Sequence, residues 1–461
     1  MVKQTSVKAP MTKDLLMKYT FIVLFILAAI SFISFGLDSI LISVVAVLVA
    51  VVCDYLLSMV MGDKGPLNIW SAAVFGLIVA MSYSYGEAPA MATEVFPILG
   101  GPGLDKFLYP ALTSAVGLIV FKKIQGLAGR KYVNPAAIAK LLIIGLVLAP
   151  SFAFIPSDHM GVDLLNRPVA NPWGEGTLEP MSTGIFGTTM IQCYGDPNLD
   201  PMNPYVYGSY DDPLPDVIYT MMVQKYHGWI GGVSSIAVIA VGIALFALLR
   251  GYIKWRITVA YFVTTILFSF VGGFIYGGDS IIRLMFHLFT GSSIFLAFFM
   301  ATDPATTPLT RLGQIIFGVG LALLTMIIQM YTGFLGGSVL ALVIMNLTCP
   351  ILDKVGIPKV RTYRVSCGLL PKAKTFAEVR VTECIRCGKC LYVCAGRIPT
   401  VSIKEAVDKG DWKRVEELGA GYCQQCGTCS FVCPARINLK AIMLSAREKV
   451  GAKPLDKPAN D

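Results

Sequence analysis

Long apolar runs separated by short polar links fill the chain up to Pro350, and after it the pattern changes to short mixed segments rich in cysteine. A helix needs roughly 20 mostly apolar residues to cross a bilayer, and about ten stretches qualify: 19–37, 39–61, 68–84, 103–121, 134–154, 229–250, 257–277, 284–302, 311–332 and 335–352. The first has no small-residue cleavage site and leads at once into a second, so it reads as a retained helix and not a signal peptide. Beyond the apolar region, Asp411 is placed to cap a helix running to Gly419, and another is expected from Leu439 to Val450, stopping at Gly451. The predicted fold class is an all-α polytopic membrane protein with a helical C-terminal domain.

The links carry the orientation. Lys3, Lys8, Lys13 and Lys18 precede the first span, Lys122, Lys123, Arg130 and Lys131 follow the fourth, and Arg250, Lys254 and Arg256 follow the sixth. With ten spans these links share one side, and the positive-inside asymmetry makes that side the cytoplasm. The long link 155–228 is acidic, with Asp158, Asp163, Glu175 and Glu179 among its charges, and is expected outside. Both termini are then cytoplasmic; the resemblance given below implies that the membrane is the inner membrane of a prokaryotic cell.

Composition agrees and adds a division. The 461 residues are 55% hydrophobic and 15% charged, with a mean hydropathy of +0.66, where soluble domains carry about 25% charge. A soluble enzyme and a disordered chain are both excluded. Of the net charge of +9, all the excess lies from Asp353 onward, where 20 basic side chains face 11 acidic ones. The expected organisation is a cytoplasmic segment 1–18, a membrane domain 19–355, a linker 356–375 and a cytoplasmic domain 376–461.

The stretches Ser71 to Ser82 and Ser292 to Asp303 share small polar residues at the start and a polar break at the end. Five spans separate them, so they would cross in opposite directions. That is the signature of an inverted 5+5 repeat, with ligand sites at broken helices between the halves. Chance alignment of apolar sequence is the competing reading.

Eight of the 12 cysteines form two runs, Cys384-x2-Cys387-x2-Cys390-x3-Cys394 and Cys423-x2-Cys426-x2-Cys429-x3-Cys433-Pro434. Disulfide scaffolds are small and secreted, which this chain is not. Paired C-x2-C units also make zinc ribbons, but a duplicated triplet-plus-one pattern matches two-cluster bacterial ferredoxins, where the fourth cysteine of each run serves the other cluster. The expected ligands are Cys384, Cys387, Cys390 and Cys433 for cluster one, and Cys423, Cys426, Cys429 and Cys394 for cluster two. Cys394 is followed by Ala395-Gly396 where the second run has Cys433-Pro434-Ala435, which leaves its loop geometry open. Two oxidised [4Fe–4S] cubes with eight thiolates would lower the formal charge to about +5. A basic cytoplasmic surface of that kind suits an acidic electron carrier and equally suits anionic lipid headgroups.

The run His287 to Pro308, continuing through Gly313 to Gly318, closely resembles the D subunit of the Rnf complex, and through it the B subunit of the sodium-pumping NADH:quinone reductase. Asn134-Pro135-Ala136-Ala137 and His227 to Ser235 carry the same resemblance, which covers roughly 20–350, while the tail resembles the ferredoxin segment of the Rnf C subunit. The resemblance implies a ten-helix flavin-binding subunit of an ion-translocating electron-transfer complex, with other Rnf-like subunits as partners, a soluble ferredoxin or other acidic carrier as a further one, and no nucleic acid. It also implies one FMN joined through its phosphate to a threonine of an Asp-x-x-Ser-Gly-Ala-Thr motif. Here the nearest match is Thr183 to Thr189, with Thr183, Phe186 and Thr188 departing from the motif. Thr189 is the candidate attachment residue, against an ordinary loop. A second flavin, such as riboflavin, is implied near Asn134, Thr302 and Asp303, against simple helix caps at Asn134-Pro135 and Asp303-Pro304.

Charges inside spans are costly and point to function. Asp54 in the second span and Lys140 in the fifth qualify, Lys140 either snorkelling or facing a flavin or ion path. The leading function is a subunit passing electrons between cytoplasmic clusters and membrane flavin, coupled to Na+ or H+ movement, and incomplete without its partners. The competing readings are a non-pumping anchor that wires a soluble oxidoreductase to the quinone pool, and a solute channel, which would have no use for a ferredoxin.

Overall fold

The computed structural model describes residues 11–60, 69–85, 105–124, 132–142, 228–249, 251–276, 293–332, 337–357, 359–363 and 383–455, with a few single positions between them. The described residues are mostly helical. They divide into two compact units: one comprises the described parts of Met17–Thr307 and Gln314–Pro350, the other those of Met1–Leu16, Pro308–Gly313 and Ile351–Asp461.

The first unit begins with α1 (Lys13–Phe35), α2 (Leu37–Val60) and α3 (Ile69–Met81). Helix α2 is apolar on every face, yet it buries the stripe Ser39, Ile42, Ser43, Ala46, Ala50 and Asp54 and turns Leu41, Val44, Leu48 and Val52 outward. That arrangement would fail in water. In lipid the large side chains lose nothing by facing out, and small ones inside let backbones approach. Gly76 of α3 marks the closest approach, because a Cβ there would stand 2.6 Å from the carbonyl oxygen of Ala46.

Helix α3 stops three residues short of the expected span. The chain instead forms β1 (Ser84–Tyr85), antiparallel to β2 (Gly228–Trp229) with Ser84 opposite Trp229, and Ile230 N–H donates to the Tyr83 carbonyl at 2.9 Å. A 3₁₀ turn over Ile230–Gly232 follows. Gly231 is required in it, since a Cβ would lie 2.7 Å from Cβ of Met81. The expected sixth span therefore starts late, as α6 (Ser235–Leu248), where the Ser234 hydroxyl accepts from Ala237 N–H. Between these pieces lie α4 (Asp105–Val116), widening into a π-helical stretch at Gly117–Ile124, and α5, a short helix over 135–142.

The remaining helices are α7 (Trp255–Tyr276), α8 (Ser293–Phe295) continuing as a π-turn at Leu296–Met300, α9 (Arg311–Thr332) and α10 (Gly337–Leu352). Among the described residues, Lys13–Ile33, Leu37–Val60 and Arg311–Ile328 are long and apolar enough to cross a membrane, and Ile69–Met81, Ser235–Leu248, Trp255–Val271 and Ser338–Leu352 are shorter apolar helices. The protein is a multi-pass, mostly helical membrane protein.

The second unit contains α11 (Lys389–Val393), α12 (Thr400–Asp408), α13 (Trp412–Glu417), α14 (Thr428–Phe431) and α15 (Leu439–Val450), and no strand forms between Glu383 and Leu455. Its helices start where the polar caps stand: Asp411 accepts from Arg414 N–H at 3.0 Å, and Asn438 from Ala441 N–H at 3.2 Å. Helix α15 ends at Gly451, whose φ is 83°. Ile398, Ile403, Val415, Ala420, Met443 and Ala446 form the core beneath them.

Candidate functional site

The two cysteine runs fold as copies of one another. Arg386 and Gln425, each two residues after the first cysteine of its run, have φ of 50° and 60°; Gly388 and Gly427 have 73° and 78°; Arg397 and Arg436, three residues after the last cysteine, have 55° and 54°. A non-glycine residue in this left-handed region costs about 1 kcal/mol or more, so its repetition at matched positions marks a turn that the surroundings enforce. What the turns achieve is to point backbone N–H groups at sulfur: Arg386 N–H reaches Cys384 Sγ at 3.4 Å, and Ile398 N–H reaches Cys394 Sγ at 3.4 Å.

Cys384, Cys387, Cys390 and Cys433 line a single small pocket of about 20 Å³, with Val401 and Leu439 among its other walls. Cys394 stands near Cys426, and Cys423, Cys394 and Cys426 surround Cys429. The structure thus places four of the eight cysteines around one pocket. Among the described residues, no group of three or more His, Cys, Asp or Glu side chains converges on a single metal ion.

Burial pushes the thiols of Cys384, Cys387, Cys390, Cys394 and Cys423 above their ordinary range, and that of Cys429 up to about 11. Closely packed thiols of this kind do not hold thiolate charge on their own. A bound cationic core would supply the missing compensation, because ligand sulfurs are deprotonated as the metal binds. All-sulfur donors, inward N–H groups and a cavity at the centre of four thiols fit an iron–sulfur cube.

Arg386 is more than a turn residue. Its guanidinium pairs with Glu405 at 2.9 Å and Asp353 at 3.8 Å, while Asp353 accepts from Leu309 N–H at 2.7 Å. Tyr392 O–H donates to the Leu309 carbonyl at 3.1 Å, and the Arg311 guanidinium lies 4.1 Å from the centre of the Tyr392 ring. Leu309, Asp353 and Tyr392 carried no sequence signal, since nothing in a leucine or aspartate at the end of an apolar span announces a neighbour 80 residues away.

In the membrane unit, Asn134 Oδ1 accepts from Ala136 and Ala137 N–H at 3.0 and 3.3 Å, capping α5. Its Nδ2 donates to the Met300 carbonyl at 3.1 Å, at the end of the π-turn. Thr302 Oγ1 returns to the Phe298 carbonyl, and Asp303 accepts from Ala305 N–H and the Thr306 hydroxyl at 3.1 Å each. All three side chains are engaged in tying down backbone, as helix caps and local turns. Lys254, read from sequence only as an inside charge, is buried and donates to the carbonyls of Pro304 and Thr307 and to the Thr307 hydroxyl.

The Lys140 ammonium donates to the Ser82 carbonyl just beyond α3 and stands 4.4 Å from the centre of the Trp229 ring. Asp54 pairs with Lys123 at 3.2 Å. Thr189 lies outside the described residues.

Comparison with known proteins covers the membrane part. The model of the NQR2, RnfD, RnfE family matches residues 1–362 and so ends before the first cysteine run. The D subunit of the Na(+)-translocating ferredoxin:NAD(+) oxidoreductase complex of Acetobacterium woodii is 25% identical over 72% of this chain and 85% of its own length. Its proton-translocating counterpart from Clostridium ljungdahlii is 25% identical over 70% and 84%. The D subunit of the ion-translocating oxidoreductase complex of Erwinia tasmaniensis is 32% identical over 60% and 77%. By the reach of that family match, the chain belongs to the NQR2, RnfD, RnfE family.

Proposed function

We propose that the chain is a membrane subunit of an Rnf-like, ion-translocating oxidoreductase complex that carries its own cytoplasmic ferredoxin, with electrons moving between two [4Fe–4S] clusters and membrane flavin. The observation that carries the reading is the cavity ringed by Cys384, Cys387, Cys390 and Cys433 in a chain whose first 362 residues match the family. Cluster one takes those four ligands and cluster two Cys423, Cys426, Cys429 and Cys394. When bound, each cluster supplies one-electron transfer. The protein's part is to hold the thiolates, aim the N–H groups of Arg386 and Ile398 at them, and keep water from Cys390, the levers that set cluster potentials.

In this reading the membrane domain has ten spans in an inverted 5+5 arrangement, lies in the inner membrane and has both termini in the cytoplasm, as the basic links favour. FMN is attached at Thr189 and a second flavin lies against backbone near Asn134, Thr302 and Asp303. Partners are the other subunits of the complex and an acidic soluble carrier such as a ferredoxin. The names of the Acetobacterium and Clostridium relatives support ferredoxin as donor and Na+ or H+ as the coupled ion.

The test is to purify the chain with its cofactors intact, record UV-visible and EPR spectra, and look for flavin fluorescence in the denatured band. Four-iron signals together with flavin are expected, and the fluorescent band should vanish in Thr189→Ala. Absence of both signals would remove the redox reading.

A further inference from the structure

We propose that the face of the ferredoxin unit around Phe431 and Lys440 is the docking surface for an acidic one-electron carrier protein, which exchanges its electron with cluster two there. The inference rests on the cluster assignment and the acidic partner proposed above, and adds the place on the chain where that partner binds.

Charge is spread unevenly over the unit. Around the first cysteine run each acid has a basic partner: Glu383 pairs with Lys13, Glu405 with Arg386 at 2.9 Å, and Asp408 with Lys404. The stretch from Leu418 to Arg447, which holds the second run, contains no Asp or Glu, while Arg436, Lys440 and Arg447 are basic. A loaded cube adds about two negative charges to either run. The contrast between the runs therefore survives loading, and an acidic partner is drawn to the second.

Lys440 is built into that surface. Its backbone N–H donates to the Ser430 hydroxyl at 2.7 Å, and its stem lies over Gly427, where a Cβ would stand 3.3 Å from Lys440 Cδ. Phe431, beside Ser430, is 47% exposed, and α14 as a whole buries no residue. Cys423, Cys426 and Cys429 are only half-buried. The second run thus combines basic side chains for steering, an exposed aromatic for contact and sulfur near the surface. At the matching position of the first run the Tyr392 ring is already occupied, with the Arg311 guanidinium 4.1 Å from its centre.

The borders of the patch favour a protein over a bilayer. Glu416, Glu417 and Glu448 are exposed at its two ends, and an extended plane of anionic headgroups would meet and repel them. A carrier that covers Phe431 and Lys440 has a smaller footprint. The step it performs moves one electron: the carrier's reduced flavin or iron–sulfur centre loses it, cluster two gains it, and no bond or proton changes place.

Stopped-flow mixing of the loaded full chain with an acidic flavodoxin in its anionic hydroquinone form tests this, with the blue semiquinone reporting each electron passed. The second-order rate constant should fall as salt rises. At low salt Lys440→Glu should lower it by about fivefold or more, Lys440→Gln by less, and Phe431→Ala should lower it without removing the salt dependence. Lys409→Glu, the same change of charge at the exposed end of α12, should have a much smaller effect. Dithionite should reduce the cubes equally in every variant, and flavodoxin should protect Lys440 from acetylation. Equal losses from Lys440→Glu and Lys409→Glu, or no loss from the Lys440 and Phe431 variants, would overturn the docking surface while dithionite reduction upholds the clusters. Protection of Lys440 in phosphatidylglycerol nanodiscs without flavodoxin would overturn it in favour of lipid. A wild-type chain without four-iron signals would overturn the cluster assignment, and this inference with it.

Discussion

Lys123 and Asp54 meet at 3.2 Å between the π-helical end of the fourth span and the buried face of α2. Lys123 also donates to Ser58, one turn further along α2, at 3.1 Å. Removing one member leaves the other desolvated, at a cost of up to about 3 kcal/mol. Lys123→Met should therefore lower the melting temperature of the detergent-solubilised protein, and adding Asp54→Asn should restore most of the loss. Equal and additive losses from the two changes would argue that the pair is not coupled.

Asn134 makes two kinds of bond, and they can be separated. Asn134→Asp keeps the oxygen that caps α5 but loses the Nδ2 donation to Met300, whereas Asn134→Ala loses both. The alanine variant should be the less stable by about 1 kcal/mol. If the neighbouring backbone holds a flavin, both variants should also purify with less non-covalent flavin, and undiminished flavin in both would remove it from that location.

Replacing Lys140 tests the break after α3. With methionine there, the Ser82 carbonyl loses its charged donor, and a polar group left unpaired in a buried place costs about 1–3 kcal/mol. Lys140→Met should melt earlier than wild type and become more susceptible to proteolysis near 82–85. A variant as stable as wild type would show that the break does not depend on the ammonium.

Without iron, the ferredoxin unit should weaken in alkali. Burial raises the Cys429 thiol from 9.0 to about 11, so between those values the folded apo chain retains a proton that the unfolded chain has lost. Stability then falls as pH rises through that window. With cubes in place the sulfurs are ligands and have no proton to lose. Proteolysis within 383–455 of the cluster-free chain should increase from about pH 9 to about pH 11 and remain flat for the loaded chain. A flat profile in both would contradict the assigned burial.

How much of this was legible in advance depended on how local its cause was. Asp411 starts its helix through a bond within one turn, and the helix from Leu439 to Val450 ends where its glycine signal, Gly451, takes a positive φ. The two cysteine runs could be read as copies because equal spacing along a turn repeats the same backbone, and the matched left-handed residues repeat with it. The ends of the third and sixth spans could not, since α3 stops where Lys140 and the Tyr83 to Ile230 bond take over its carbonyls. An apolar sequence carries no mark of that event. Leu309 was invisible for a related reason: its N–H and carbonyl are held by Asp353 and Tyr392, far away in sequence, and hydropathy carries no sign of either bond.

The wide turn at Leu296–Met300 has a consequence for any insertion or deletion nearby. A π-turn accommodates one residue more than an α-turn of the same height, and each residue of an α-helix turns the chain by about 100°. Deleting a single residue between Leu296 and Met300 would relax the turn to ordinary α-helix without shortening its reach much. Because the wide turn absorbs one residue more per revolution, Thr302 and Asp303 would keep nearly their present facing toward Asn134 after that deletion, whereas losing a second residue would swing them about a quarter of the way round the axis. The extra residue is held in the width of the turn, so this short stretch should tolerate the loss of one residue far better than the loss of two.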